Sequence, residues 1–153
     1  MLSDNGFTDV AYELLFQEKN PSWLYSVCHG ATTMWEHWNG IKEDGSFWST
    51  DMNSFNHYAY GSVFDWIFGV SCGIQPAKPG YREVRIAPQP DPRLGFVDAV
   101  IQTRNGVIRM HWYYKEGGRV FYELEIPTDV KAQLVLPSGK QTVLNGGRYH
   151  FAE

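Results

Sequence analysis

The chain is short of the features that mark several broad classes of protein. It has only two cysteines, Cys28 and Cys72. They make neither a disulfide framework nor a metal-ligand spacing and read as two free buried thiols, so the redox compartment stays open. No run of Lys or Arg occurs, and the formal net charge is −4. Nothing is therefore built to displace counterions from nucleic acid or to hold anionic lipid, and both partners are excluded. No apolar stretch reaches the ~20 residues a membrane span needs. The opening Met1-Leu2-Ser3-Asp4-Asn5-Gly6 lacks the basic and apolar regions of a signal peptide. For a segment of a longer protein that absence is uninformative, and cytoplasmic, periplasmic and secreted locations all stay open. His29, His37, His57 and Asp51 follow no zinc-ligand pattern, so no metal or other cofactor is expected. There is no internal repeat and no low-complexity segment.

Aromatic residues are abundant instead, with six Trp, nine Tyr and nine Phe in 153 residues. They serve either as bulky core or as flat apolar faces on which sugar rings stack. The chain is long enough for one ordinary domain or two small ones, and its two halves have different periodicities. From Thr8 to Gln17, Val10, Ala11, Leu14 and Leu15 recur at helical spacing, with Thr8 as the expected N-cap. Asn20-Pro21-Ser22 breaks that helix, and Ser22 is placed to cap a second short one through Trp23, Leu24, Tyr25 and Val27 that ends near Gly30. Residues 31–54 have no clear period and read as a long structured loop, ordered by Trp35, Trp38, Phe47, Trp48 and, just beyond, Phe55. From Asn56 to Ile74 the residues are apolar on nearly every side, which predicts a buried helix.

After Pro76-Ala77-Lys78-Pro79-Gly80 the period changes from helical to two. Val84 and Ile86 alternate with charged residues. Ile108, Met110, Trp112 and Tyr114 face one way, and Arg109, His111 and Tyr113 the other. The series Val120–Ile126 and Val130–Leu136 continue the pattern, with turns at 116–118, 138–139 and 145–147. The expectation is an α+β chain: helices over 1–75, then an antiparallel sandwich or small barrel of roughly seven strands over 76–153. The turns and faces of this second half show no convergent polar cluster.

The densest chemistry lies in Gly30-Ala31-Thr32-Thr33-Met34-Trp35-Glu36-His37-Trp38-Asn39-Gly40. An acidic residue between two indoles suits sugar hydrolysis, in which a held carboxylate activates water and aromatic rings pack on the sugar's C–H faces. The same pattern also fits a loop pinned by buried Trp, with Glu36 in a salt bridge. A second cluster, Asp51-Met52-Asn53-Ser54-Phe55-Asn56-His57-Tyr58-Ala59-Tyr60-Gly61, puts polar groups where the apolar helix should begin. Asn53 or Ser54 can be its N-cap and His57 a structural histidine, or these groups can face a pocket.

These two strings, together with Asp9-Val10-Ala11-Tyr12-Glu13-Leu14-Leu15 and Pro21-Ser22-Trp23-Leu24-Tyr25 before them and Pro79-Gly80-Tyr81 and Ile86-Ala87-Pro88-Gln89-Pro90 after, carry a resemblance. In order and spacing the chain resembles the C-terminal third of the catalytic domain of bacterial α-L-rhamnosidases, glycoside hydrolase family 78, and the sandwich domain that follows it. The resemblance covers almost the whole chain. It implies the last helices of an (α/α)6 barrel followed by a β-sandwich. It also implies that Glu36 is the general base of an inverting hydrolase of terminal α-L-rhamnosides, with His57, Asn53, Trp38 and Trp35 on the rhamnose side. The departure is an absence. An inverting site needs a second carboxyl roughly 6.5–9.5 Å from the first, and Glu43, Asp44 and Asp51 match no acid motif of the family. The chain is thus expected to be an incomplete enzyme, inactive alone, whose partners are a rhamnose-containing carbohydrate and the missing N-terminal part. Barrel faces left bare are expected to promote self-association. The competing readings are a non-catalytic carbohydrate-binding module and, for residues 82–153 in particular, a purely structural one.

Overall fold

A computed structural model describes all residues, Met1–Glu153, which divide into two compact units, Met1–Phe64 and Asp65–Glu153. The first is helical and irregular. After a 3₁₀ turn at Ser3–Asn5, helix α1 spans Thr8–Leu15 and buries Tyr12. The flanking residue is Phe7, and no side chain caps the helix. Thr8 is therefore the first helical residue rather than the expected N-cap. Helix α2, Trp23–Cys28, starts as expected: the Ser22 hydroxyl accepts the Tyr25 N–H at 3.0 Å, satisfying one of the amides left open at a helix start. It stops at Gly30, whose φ of 83° only glycine adopts at little strain. There Gly30 N–H donates to Val27 O and Ala31 N–H to Ser26 O.

Beyond Gly30 the only regular pairing before residue 59 is a bridge between Ile41 and Phe47. Aromatic packing orders the loop. Trp35 is buried and meets the Phe55 ring edge-on at 5.3 Å, and a side chain on Gly40 would strike both rings. The Trp38 ring stacks on Tyr60 at 3.7 Å, and Trp23 meets it edge-on at 5.2 Å. Trp23 also donates its indole N–H to Tyr60 O.

The expected single buried helix over 56–74 is not formed. In its place are a 3₁₀ turn at Ala59–Ser62, a four-residue helix α3 at Val63–Trp66 and a π turn at Ile67–Ser71. Gly61 and Gly69 lower helix propensity inside the run. Its apolar side chains are not uniformly buried: Tyr58 is 89% exposed and Phe64 and Phe68 are also exposed, while Val63, Trp66, Ile67 and Val70 are half-buried. No helix is long and apolar enough to cross a membrane.

The second unit is a two-sheet sandwich of eight strands. One sheet, in order β1-β2-β6-β7, contains β1 (Ile74–Pro76), β2 (Glu83–Ile86), β6 (Lys131–Val135) and β7 (Gln141–Leu144). The other, β3-β4-β5-β8, contains β3 (Phe96–Thr103), β4 (Gly106–Tyr114), β5 (Val120–Ile126) and β8 (Gly147–Ala152). Pairing is antiparallel except between β2 and β6, which run parallel. The strand beyond the expected seven is β1, a three-residue edge too short for alternation to reveal. Ile108, Met110 and Trp112 of β4, Tyr122 and Leu124 of β5, and Ala132 and Leu134 of β6 fill the space between the sheets. Trp112 is fully buried and donates its indole N–H to Ser71 O at 2.8 Å, as a buried indole must find an acceptor.

Candidate active site

Two extended segments of the first unit lie side by side. Glu36 N–H donates to Ser54 O at 3.0 Å, and His57 N–H donates to Met34 O at 2.8 Å. The Thr33 hydroxyl closes the pair by donating to Phe55 O. The residues around Glu36 and those around His57, 21 positions apart in sequence, are thus held by backbone hydrogen bonds in one small antiparallel clamp. The buried Trp35 ring anchors it against Phe55.

Glu36 is half-buried on this clamp. No side chain or backbone amide engages its carboxylate: none of the chain's ion pairs includes it. The salt bridge that the sequence left open as an alternative is not formed. A carboxylate with no partner keeps its lone pairs for a water or a hydroxyl.

His57 is also half-buried, and its Nδ1 lies 3.3 Å from the Ala59 N–H. Accepting that hydrogen leaves Nδ1 bare and puts the ring proton on Nε2, the nitrogen turned away from its own backbone. Nε2 is then left to donate to another group. Asn53 closes its own turn: its amide oxygen accepts the Ser49 N–H, and its amide nitrogen donates to Ser49 O. One lone pair and one N–H of that amide remain for another group.

The tryptophans divide. Trp35 is only 4% exposed and is the hydrophobic centre of the loop, with no free ring face. Trp38 is half-buried within its stack on Tyr60. His37, weighed from the sequence only as a metal ligand, stacks on the exposed Trp48 at 3.6 Å, and its Nε2 is buried without a partner. Its position next to Glu36 was the signal for a role in this site.

The nearby acids belong to turns. Asp44 accepts from both the hydroxyl and the N–H of Ser46, and these hydrogen bonds hold its carboxyl below the usual range. A carboxyl held ionised in this way is unsuited to donate a proton near neutrality. Asp51 is exposed and meets only the Thr50 hydroxyl. The clamp thus sets side by side the two segments that carry a carboxylate with no partner and an imidazole with a spare ring N–H.

Comparison with known proteins identifies both halves. Residues 1–70 match the bacterial α-L-rhamnosidase six-hairpin glycosidase domain, and residues 73–151 match the bacterial α-L-rhamnosidase C-terminal domain. An α-L-rhamnosidase of Streptomyces avermitilis is 42% identical over 138 residues, 90% of this chain and 13% of that protein. One from Alteromonas sp. is 39% identical over 138 residues, 90% of this chain and 15% of its own length. One from Formosa agariphila is 36% identical over 151 residues, 99% of this chain and 16% of its own. The chain therefore spans only a small part of these relatives. Among solved structures, the S. avermitilis α-L-rhamnosidase complexed with L-rhamnose superposes with a TM-score of 0.91 at 35% identity, covering 99% of this chain and 16% of that one. The Aspergillus terreus α-L-rhamnosidase does so with a TM-score of 0.94 at 35% identity, covering 99% and 18%. The α+β architecture, the two matched domains and the identities agree, and the chain belongs to the bacterial α-L-rhamnosidase family of glycoside hydrolases.

Proposed function

We propose that this chain carries one half of the active site of an inverting hydrolase of terminal α-L-rhamnosides, with Glu36 as the general base. The observation that carries the reading is the unpartnered Glu36 carboxylate on a segment that the 33–36/54–57 backbone clamp pairs with the segment bearing His57. In this reading Glu36 takes a proton from a water as that water attacks the anomeric carbon, on the face opposite the departing group. The bond from the carbon to the leaving oxygen breaks as a general acid protonates that oxygen. That acid belongs to the missing N-terminal part of the same enzyme.

The His57 Nε2–H donates to a sugar hydroxyl, the spare groups of Asn53 take part in the same hydroxyl network, and Trp38 lends an edge to the apolar side of the ring. Trp35, which is buried, stands behind the wall as its support. Residues 1–75 are then the last helices of the barrel and 76–153 the sandwich. A non-catalytic carbohydrate-binding role for the helical unit accounts less well for Glu36, because a binding module has no need of a carboxylate kept free for water.

The test is hydrolysis of a chromogenic α-L-rhamnoside by the full-length protein and its Glu36→Gln variant. Loss of a positioned base lowers kcat by about 10²- to 10⁴-fold, with KM changing much less. Retention of wild-type kcat by Glu36→Gln sinks the assignment.

A further inference from the structure

The outer face of sheet β3-β4-β5-β8 holds an ordered cluster that the sequence pattern did not show. Strand register places three rows across it. Phe96, Tyr113 and Phe121 stand abreast; Asp98, His111, Glu123 and His150 form the next row; Val100, Arg109, Glu125 and Arg148 form the third. Neighbouring strands are about 4.8 Å apart, so four strands give a platform about 14 Å wide, broader than one pyranose ring.

The charged groups are tied to one another. Arg109 makes two bonds to the Asp98 carboxylate, at 2.7 and 2.6 Å. Arg148 reaches Glu125 at 3.3 Å, while His111 and the Tyr113 hydroxyl both meet Glu123. These contacts hold the Asp98 and Glu123 carboxyls below their usual range, through hydrogen bonds from Arg109 and His111 respectively. Between them lies a shallow groove of about 260 Å³ lined by Arg109, Glu123, Glu125, Arg148 and His150. On the edge strand β3, one row before the groove, Phe96 is 63% exposed, and the Phe121 ring lies under Lys115, whose Nζ is 4.5 Å from the ring centroid.

We infer that this face is a second carbohydrate-binding surface, one that holds a neutral glycan chain through the Phe96 ring and the Arg109–Glu123–Glu125–Arg148–His150 groove. The chemistry selects among ligands. The groove itself sets two carboxylates (Glu123, Glu125) against two guanidinium groups (Arg109, Arg148), with the Asp98 carboxylate on Arg109 and with Lys115 and Arg119 standing apart over the Phe121 ring; it offers no excess positive charge, so nucleic acid and acidic polymers are disfavoured there. The centre of a protein interface is depleted of charge, whereas this groove is lined by it, and stripping water from these ions costs more than an apolar contact returns. Sugar hydroxyls both accept from guanidinium and donate to carboxylate, so they replace the lost water bond for bond. The ion pairs have already oriented the groups that do this, and such preorganisation lowers the entropic cost of binding. The exposed Phe96 ring, a row away on the edge strand, is placed to accept the C–H face of a neighbouring sugar of a chain that spans the platform.

The ligand class follows from this face alone; the choice of rhamnose as the first sugar to try rests on the proposed function. The chain is run on native gels containing a neutral soluble rhamnan, xyloglucan or polygalacturonate, as wild type, Phe96→Ala, Arg148→Ala and, as a control on the other sheet, Val143→Ala. Phe96, Arg148 and Val143 are exposed, so their removal leaves the core untouched; circular dichroism checks this. The expected result is retardation by at least one neutral polymer. Phe96→Ala and Arg148→Ala weaken it at least tenfold, Val143→Ala leaves it unchanged, and polygalacturonate gives none. Absence of retardation by both neutral polymers, retardation that survives both sheet variants, or equal retardation by polygalacturonate overturns the inference. None of these three side chains belongs to the proposed catalytic site, whose failure is read by hydrolysis with Glu36→Gln, so failure of the base assignment and failure of the platform are separable.

Discussion

Single residues carry the most direct consequences of this structure. Glu36 matters because nothing in the chain neutralises it, whereas Asp91 matters for the opposite reason. Asp91 is buried at the turn before β3, and the Arg93 guanidinium meets both of its oxygens at 2.8 and 2.7 Å while the Arg93 amide adds a third bond. The guanidinium hydrogen bonds hold its carboxyl below the usual range, against the opposing pull of burial. A carboxyl whose value is depressed on folding contributes stability above its unfolded value near ~3.9 and loses it as pH falls through the folded value. Arg93 is 41% exposed, so the effect is modest, about 1 kcal/mol near neutrality. Asp91→Asn should lower the urea midpoint at pH 7 and make stability less sensitive to pH below 4. An unchanged acid limb in the variant would mean that the pair contributes nothing.

The residue scale is also where the sequence was least informative. Glu36 could be singled out because it stands between Trp35 and Trp38 in a loop without a period. Whether it would be free or salt-bridged depended on what the fold brought near it, and no local pattern records that. Trp35 and Trp38 look alike in sequence, yet Trp35 is buried and Trp38 only half-buried. The outer-face cluster was invisible for a related reason. Asp98 meets Arg109, and Glu125 meets Arg148, only once strand register is set, and register is a property of pairs of strands.

At the scale of elements, the strands were readable and the last helix was not. The alternation of Ile108, Met110 and Trp112 with Arg109 and His111 has one solution, because a slip of one residue would turn every apolar side chain outward. Ser22 likewise carries its own capping chemistry. In contrast, the run from Asn56 is apolar on all sides and so gives no phase. Three short turns of different pitch satisfy it as well as one helix does, with Gly61 inside the first and Gly69 inside the last.

The π turn at Ile67–Ser71 passes into β1 through Gly73, where φ is 75°. A Cβ there would lie 2.2 Å from the Pro88 nitrogen and 2.3 Å from the Ala87 carbonyl carbon. Those atoms are backbone and cannot swing aside. Gly73 O also accepts the Ala87 N–H at 2.8 Å, so the close approach is part of the sheet's edge. Gly73→Ala should therefore destabilise the sandwich by more than the ~1 kcal/mol of a simple left-handed penalty. A thermal melt of the variant checks this, and a midpoint within 2 °C of wild type, on the order of a few tenths of a kcal/mol, would show that the backbone relaxes freely.

For the whole molecule, the chain's share of its relatives governs its behaviour. The helical unit leaves Val10, Leu14, Val27, Trp48, Met52 and Phe64 in solvent, and exposed apolar side chains of this kind draw partners where they adjoin. The chain studied alone should self-associate, with its weight-average mass in sedimentation rising between micromolar and tens of micromolar concentration. A monomer throughout that range would mean that these side chains need no cover. If, as proposed, the acid that completes Glu36 lies outside these residues, the chain alone should not turn over an α-L-rhamnoside, and measurable turnover by it would sink that proposal.

The most direct test of the central claim, that Glu36 serves as the base, uses chemical rescue in the full-length protein. Glu36→Ala removes the carboxylate and opens space on the face where water attacks, and azide needs no base to act as a nucleophile there. The account predicts that Glu36→Ala is nearly inert on an activated α-L-rhamnoside, and that millimolar azide restores turnover and yields the rhamnosyl azide of inverted configuration. An inert variant that azide leaves inert, or a rescued product of retained configuration, would contradict it.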